Sequence, residues 1–179
     1  MSYKNKGTTK IVTLCALLSA LSVVLLYFGA LFEVLDLSMA VLASLAVVVL
    51  VIEQGGAYPW LIYLVTTVLS LLLLPNKFPA VVYGCFMGFY PILKEKVERI
   101  PWQALRLILK LVIFNGAMVL MWWLGGLLLG GFSLGMHVAV IAIVLNAIFL
   151  FYDYAMTVMV TAYLRVWRKK LRVDRFFKI

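Results

Sequence analysis

The sequence predicts an all-α, polytopic membrane protein, a bundle of six transmembrane helices forming one integral membrane domain. Three observations carry this reading. Of the 179 residues, 66% are hydrophobic. The apolar residues gather into six stretches, and a helix needs about 20 of them to cross a hydrocarbon core roughly 30 Å thick, where lipid satisfies no backbone polar group. Finally, fifteen of the sixteen Lys and Arg residues lie near the chain ends or in one internal segment, which leaves only Lys77 elsewhere.

The expected spans are 11–32, 37–52, 57–74, 78–93, 104–129 and 134–164. The first follows Lys4, Lys6 and Lys10 as a secretion signal would. It is too long for a signal core and lacks a small-x-small cleavage site, so it reads as a permanent helix. The second and fourth are short, and their ends are loosely defined. Between the fifth and sixth, the glycines Gly125, Gly126, Gly130, Gly131 and Gly135 make an outer loop, suited to gating or simply to turning the chain. The sixth stretch exceeds one perpendicular crossing and therefore tilts or runs out along the surface. The tail 165–179 mixes basic and aromatic residues as an interfacial segment does.

Cytoplasmic loops carry the excess of Lys and Arg. With the N-terminus inside, the cytoplasmic side receives Lys4, Lys6 and Lys10, then Lys94, Lys96, Arg99, Arg106 and Lys110, then the tail. Both termini are thus expected in the cytoplasm, and an odd number of spans would misplace a basic cluster.

Composition also excludes function classes. Loops of about ten residues or fewer leave no room for a water-soluble domain. A formal charge of +9 would suggest nucleic acid in a soluble protein. Here it suits anionic membrane lipid, which attracts each basic residue by about 1 kcal/mol, and no nucleic-acid partner is expected. Cys15 and Cys85 fall at different depths and read as small core residues rather than a disulfide or metal site. There is no phosphate loop, no paired acid on one helix and no His or Cys cluster, and His137 by itself builds neither a triad nor a zinc site. No enzyme activity, cofactor or metal is expected.

Polar residues inside spans are expensive and usually face a bundle interior or a cavity. Asn146, Asp153 and Thr157 recur at helical spacing and share one face of the sixth span; Asn115 and Trp122 align on the fifth. Asp153 is expected to form a buried ion pair with Lys110 or Arg106, Lys110 foremost, with a proton or substrate role as the lesser reading. On the outer side Glu33, Asp36, Asn76, Lys77, Trp122, Trp123 and His137 form a polar and aromatic rim. Such a rim is either ordinary head-group decoration or the mouth of a ligand pocket. Ala16 and Ala20 on the first span, and Gly84 and Gly88 on the fourth, are small-xxx-small pairs that let helices approach closely.

On its six helices, inward termini and the stretch Ala16-Leu17-Leu18-Ser19-Ala20, the chain resembles the substrate-binding (S) component of energy-coupling factor transporters. The first helix of that family carries an Ala-xxx-Ala motif that docks on a transmembrane coupling subunit. The resemblance implies that Ala16 and Ala20 face that subunit and that separate ATPase subunits supply the energy. It further implies a small-molecule substrate, a vitamin or its precursor, captured from outside in a pocket near Asn115, Trp122, Asn146, His137, Lys77 and Asp36. Two other readings stand beside it: a six-helix scaffold similar to the rod-shape-determining membrane protein, and a proton-coupled carrier working through Asp153.

Overall fold

The computed structural model describes residues 3–128 and 138–167, and every element among them is helical. The chain falls into two compact units, Met1–Phe132 and Ser133–Ile179. In the first, α1 (Tyr3–Leu31) leads through a 3-10 turn at Glu33–Leu35 into α2 (Asp36–Glu53). Then come α3 (Tyr58–Leu73), α4 (Phe78–Val82), a π turn at Tyr83–Met87, α5 (Tyr90–Glu98) and α6 (Gln103–Leu128). The second unit contains α7 (Val138–Ala162), which runs into a π turn at Tyr163–Trp167.

Among the described residues, four helical stretches are long and apolar enough to cross a membrane: Thr9–Leu31, Asp36–Glu53, Gln103–Leu124 and Val140–Arg165. α3 is apolar but shorter. The expected fourth span, 78–93, is not one regular helix. Pro91 offers no N–H to the preceding turn and its ring crowds the carbonyl four residues back, so the helix breaks ahead of it. The backbone widens there, with the Gly88 N–H reaching the Tyr83 carbonyl five residues back at 2.7 Å. Beyond the break α5 continues to Glu98, so Lys94 and Lys96 sit in a helix rather than in the expected loop.

Local sequence explains the other boundaries. α2 ends where Gln54 and Gly55 both donate to the Leu50 carbonyl, and Gly55 and Gly56 take φ of +60° and +62°, a left-handed conformation that glycine adopts without steric cost. Pro59 and Pro79 stand in the first turns of α3 and α4, where a missing N–H costs nothing. Asp36 opens α2 at the end where the helix dipole favours a negative charge.

In the first unit α1 and α2 run antiparallel and close. The Ser22 hydroxyl donates to the Ala43 carbonyl at 3.2 Å and to Leu18 at 2.9 Å. A Cβ on Gly29 would stand 3.1 Å from that of Met39. α2 contacts α1, α3, α4, the π turn and α5; it is the central helix of this unit. The core runs through Leu26, Val47, Leu50, Ile62 and Tyr90, all fully buried.

Outward faces are apolar. Leu64, Val68 and Leu72 form a stripe along α3, and Leu72 is 72% exposed. On α1 Leu17, Leu21, Val24, Phe28 and Leu31 are exposed in the same way. Folded proteins in water rarely show contiguous apolar patches beyond a few hundred Å².

Candidate functional site

The best-built polar feature lies at the end of the first unit where α2 stops and α5 ends. Lys94 and Glu98 are one helical turn apart on α5, and their ammonium and carboxylate groups meet at 3.0 Å. Lys110, near the start of α6, reaches the same Glu98 oxygen at 3.2 Å. Both lysines are buried, whereas the Glu98 side chain is 37% exposed. One carboxylate thus bridges two cations and ties α5 to α6. On the neighbouring face of α5, Arg99 pairs with Glu95.

Beside this cluster is an open hollow of about 270 Å³. Val51, Pro59 and Ile92 make its apolar floor, Glu95, Lys96 and Arg99 its charged rim, and the bare backbone of Gly55 and Gly56 one wall. Lys96 makes no ion pair among the described residues.

A second feature fills the space between α3, the π turn and α6. The Tyr63 hydroxyl donates to the Gly84 carbonyl at 2.8 Å, satisfying an acceptor in the irregular π region. The ring of Tyr63 lies near Trp60, Tyr83 and Phe89; Phe86 joins Phe89, Tyr90 and Phe114. Thr66 and Tyr83, both fully buried, place their hydroxyls side by side short of hydrogen-bond geometry. Gly84 and Gly88 make this packing possible: a Cβ on Gly84 would lie 2.8 Å from Thr67, and one on Gly88 2.6 Å from Tyr63. This small-residue pair is where α3 fits against the broken helix.

The residues singled out from the sequence fall in several places. Ala16 and Ala20 are exposed on α1, while Cys15, Ser19 and Ser22 on its other side are buried. Asp36 is 6% exposed, so it belongs to the packed start of α2 rather than to an open rim. Lys77 is half-buried and donates to the Leu74 carbonyl at 2.6 Å; its ammonium caps the end of α3. Asn76 accepts from the Phe78 N–H at 3.0 Å and helps start α4. On α6, Asn115 and Trp122 share one face as their spacing requires, but that face is exposed where an interior one was expected, and the Asn115 amide donates back to Leu111 at 2.8 Å. On α7, Asn146 and Asp153 are half-buried on the side that carries Phe149 and Met156, and Thr157 is exposed. Lys110 has Glu98 as a partner within its own unit, and Asp153 belongs to the other unit. His137, Gly130, Gly131, Gly135 and 168–179 lie outside the described residues.

Sequence reading missed Glu98, Tyr63, Thr66 and Tyr83. The signal for Glu98 was present, since Lys94 and Glu98 stand four apart on a helix. Tyr63 and Tyr83 carried none, because an aromatic in an apolar span looks the same whether it faces lipid or a neighbouring helix. Among the described residues, no group of three His, Cys, Asp or Glu side chains could hold a metal ion. Protein-family models, curated proteins and solved structures all give no match to this chain.

Proposed function

We propose that this chain is a six-span membrane protein with both termini in the cytoplasm. In this reading it captures a substrate for an energy-coupling factor uptake transporter, and the cargo is a vitamin or similar micronutrient. The observation that carries the reading is the division of α1 into two faces. Cys15, Ser19 and Ser22 turn inward, and Ala16 and Ala20 stand exposed in an apolar surface. Methyl-sized side chains one turn apart leave a shallow groove, and a partner's helix can lie in it at short backbone distance. The long apolar helices and their exposed Leu, Val and Phe side chains support a lipid surround. In this role the chain carries no ATP-hydrolysing residues; ATPase subunits act through the coupling subunit.

The test is copurification with a coupling module. Ala16→Trp and Ala20→Trp fill the groove and should abolish assembly while the isolated protein still folds and binds its cargo. Full assembly of both variants would refute the docking role. The ring packing of Tyr63, Tyr83, Phe86, Phe89 and Tyr90 favours a second reading, a scaffold similar to the rod-shape-determining membrane protein, because it spends interior volume on rigidity. Equilibrium dialysis against a vitamin panel separates the two: a tight ligand for the transporter component, none for the scaffold.

A further inference from the structure

We propose that the hollow at the end of α2 binds the phosphate headgroup of an anionic phospholipid. The inference rests on the membrane reading above and adds a ligand to a place that reading leaves without a role.

Three observations converge on it. The hollow is amphipathic in the order a lipid requires. Its apolar side is Val51, with Pro59 and Ile92 buried behind it, and its rim of Glu95, Lys96 and Arg99 lies where α5 ends. Charge favours an anion. Around the hollow and its ion-pair cluster stand four cations, Lys94, Lys96, Arg99 and Lys110, against three carboxylates, Glu53, Glu95 and Glu98. Glu98 is already shared by Lys94 and Lys110, and Glu95 engages Arg99. That leaves the Lys96 ammonium and the remaining donors of the Arg99 guanidinium for a ligand.

The third observation is the bare wall. A Cβ on Gly56 would meet nothing within 4 Å, and one on Gly55 only the Val51 carbonyl at 3.9 Å. The left-handed glycines therefore hold open a space that no side chain fills. A free phosphate ion would use the cations alone; a phospholipid also lays apolar atoms against Val51, and this is why we assign the lipid. Basic pockets between helices on the cytoplasmic side recognise anionic head groups by the same combination.

The experiment places the full chain in nanodiscs of phosphatidylcholine containing a minor fraction of phosphatidylglycerol and counts retained lipid by native mass spectrometry. Wild type should keep phosphatidylglycerol preferentially. Lys96→Gln with Arg99→Gln should weaken retention about fivefold for each cation removed. The double variant Lys10→Gln with Arg106→Gln removes equal charge away from the hollow and should leave retention near wild type. Millimolar inorganic phosphate should not displace the lipid. Equal losses in the two double variants would overturn the site in favour of bulk surface charge. Displacement by phosphate would overturn the lipid assignment, and so would an absence of preference in wild type. A protein stripped from membranes by alkaline washing would fail the membrane reading itself, a result separate from failure of the hollow.

Discussion

Gly88 and Gly116 should respond to the same substitution with opposite sign. Both have helical backbone or lie inside a helix, so Ala is conformationally acceptable at each and gains roughly 0.5–1 kcal/mol over Gly from reduced unfolded-state freedom. The steric terms differ. A Cβ on Gly88 would lie 2.6 Å from Tyr63 Cδ2, 2.8 Å from Tyr83 Cε1 and 2.9 Å from Tyr83 Cζ. These are stiff ring atoms; Tyr83 is fully buried and Tyr63 is tethered to Gly84. Neither ring yields without disturbing its neighbours, and such overpacking costs about 1–3 kcal/mol.

Around Gly116 nothing lies within 4 Å of the added methyl. Gly88→Ala is therefore expected to lower stability by a net value of up to about 2 kcal/mol, and Gly116→Ala to raise it by up to about 1 kcal/mol. Thermal unfolding of the detergent-solubilised protein, followed by intrinsic tryptophan fluorescence, measures both in one buffer. A Gly88→Ala midpoint at or above wild type would refute the close fit of α3 against the π turn. A shift of both variants in the same direction would show that helix propensity alone governs these positions.

Further predictions concern the polar contacts. Glu98→Gln leaves Lys94 and Lys110 without the carboxylate they share and should cost about 1–3 kcal/mol, reduced from a fully buried pair because Glu98 is partly exposed. Glu95→Gln breaks only an exposed pair with Arg99 and should stay within about 1 kcal/mol of wild type in the same melt. Tyr63→Phe removes the donor to the Gly84 carbonyl and should cost about 1 kcal/mol; an unchanged midpoint would mean that the Gly84 carbonyl finds another donor. Topology can be read by cysteine labelling, since Cys15 and Cys85 are buried and give a quiet background. Val34→Cys, at a position 94% exposed, should react with an impermeant maleimide in intact cells, and Ala57→Cys only after permeabilisation. The reverse pattern would invert the proposed orientation.

The start of α6 and the run of α2 were legible in the sequence, because hydropathy follows the chain itself. The broken fourth helix was legible only in hindsight: Pro91 marks it, but its apolar neighbours conceal a break when the segment is read for hydropathy alone. Asp36 was misplaced for a related reason. Charge suggests a rim, and only the packing of α1 on α2 buries the residue.

What the sequence determined alone is the helical character of the chain, the long apolar stretches and the clustering of its cations, all properties of residues read one after another. Only the tertiary structure decided that Glu98 joins Lys94 to Lys110, that Tyr63 fits against Gly84 and Gly88, and that Lys96 and Arg99 rim a hollow floored by Val51 and Pro59. Those contacts join residues distant along the chain. Which side of an apolar helix meets another helix depends on shape complementarity among side chains, and in helices apolar on nearly every face the periodicity that would reveal it is missing.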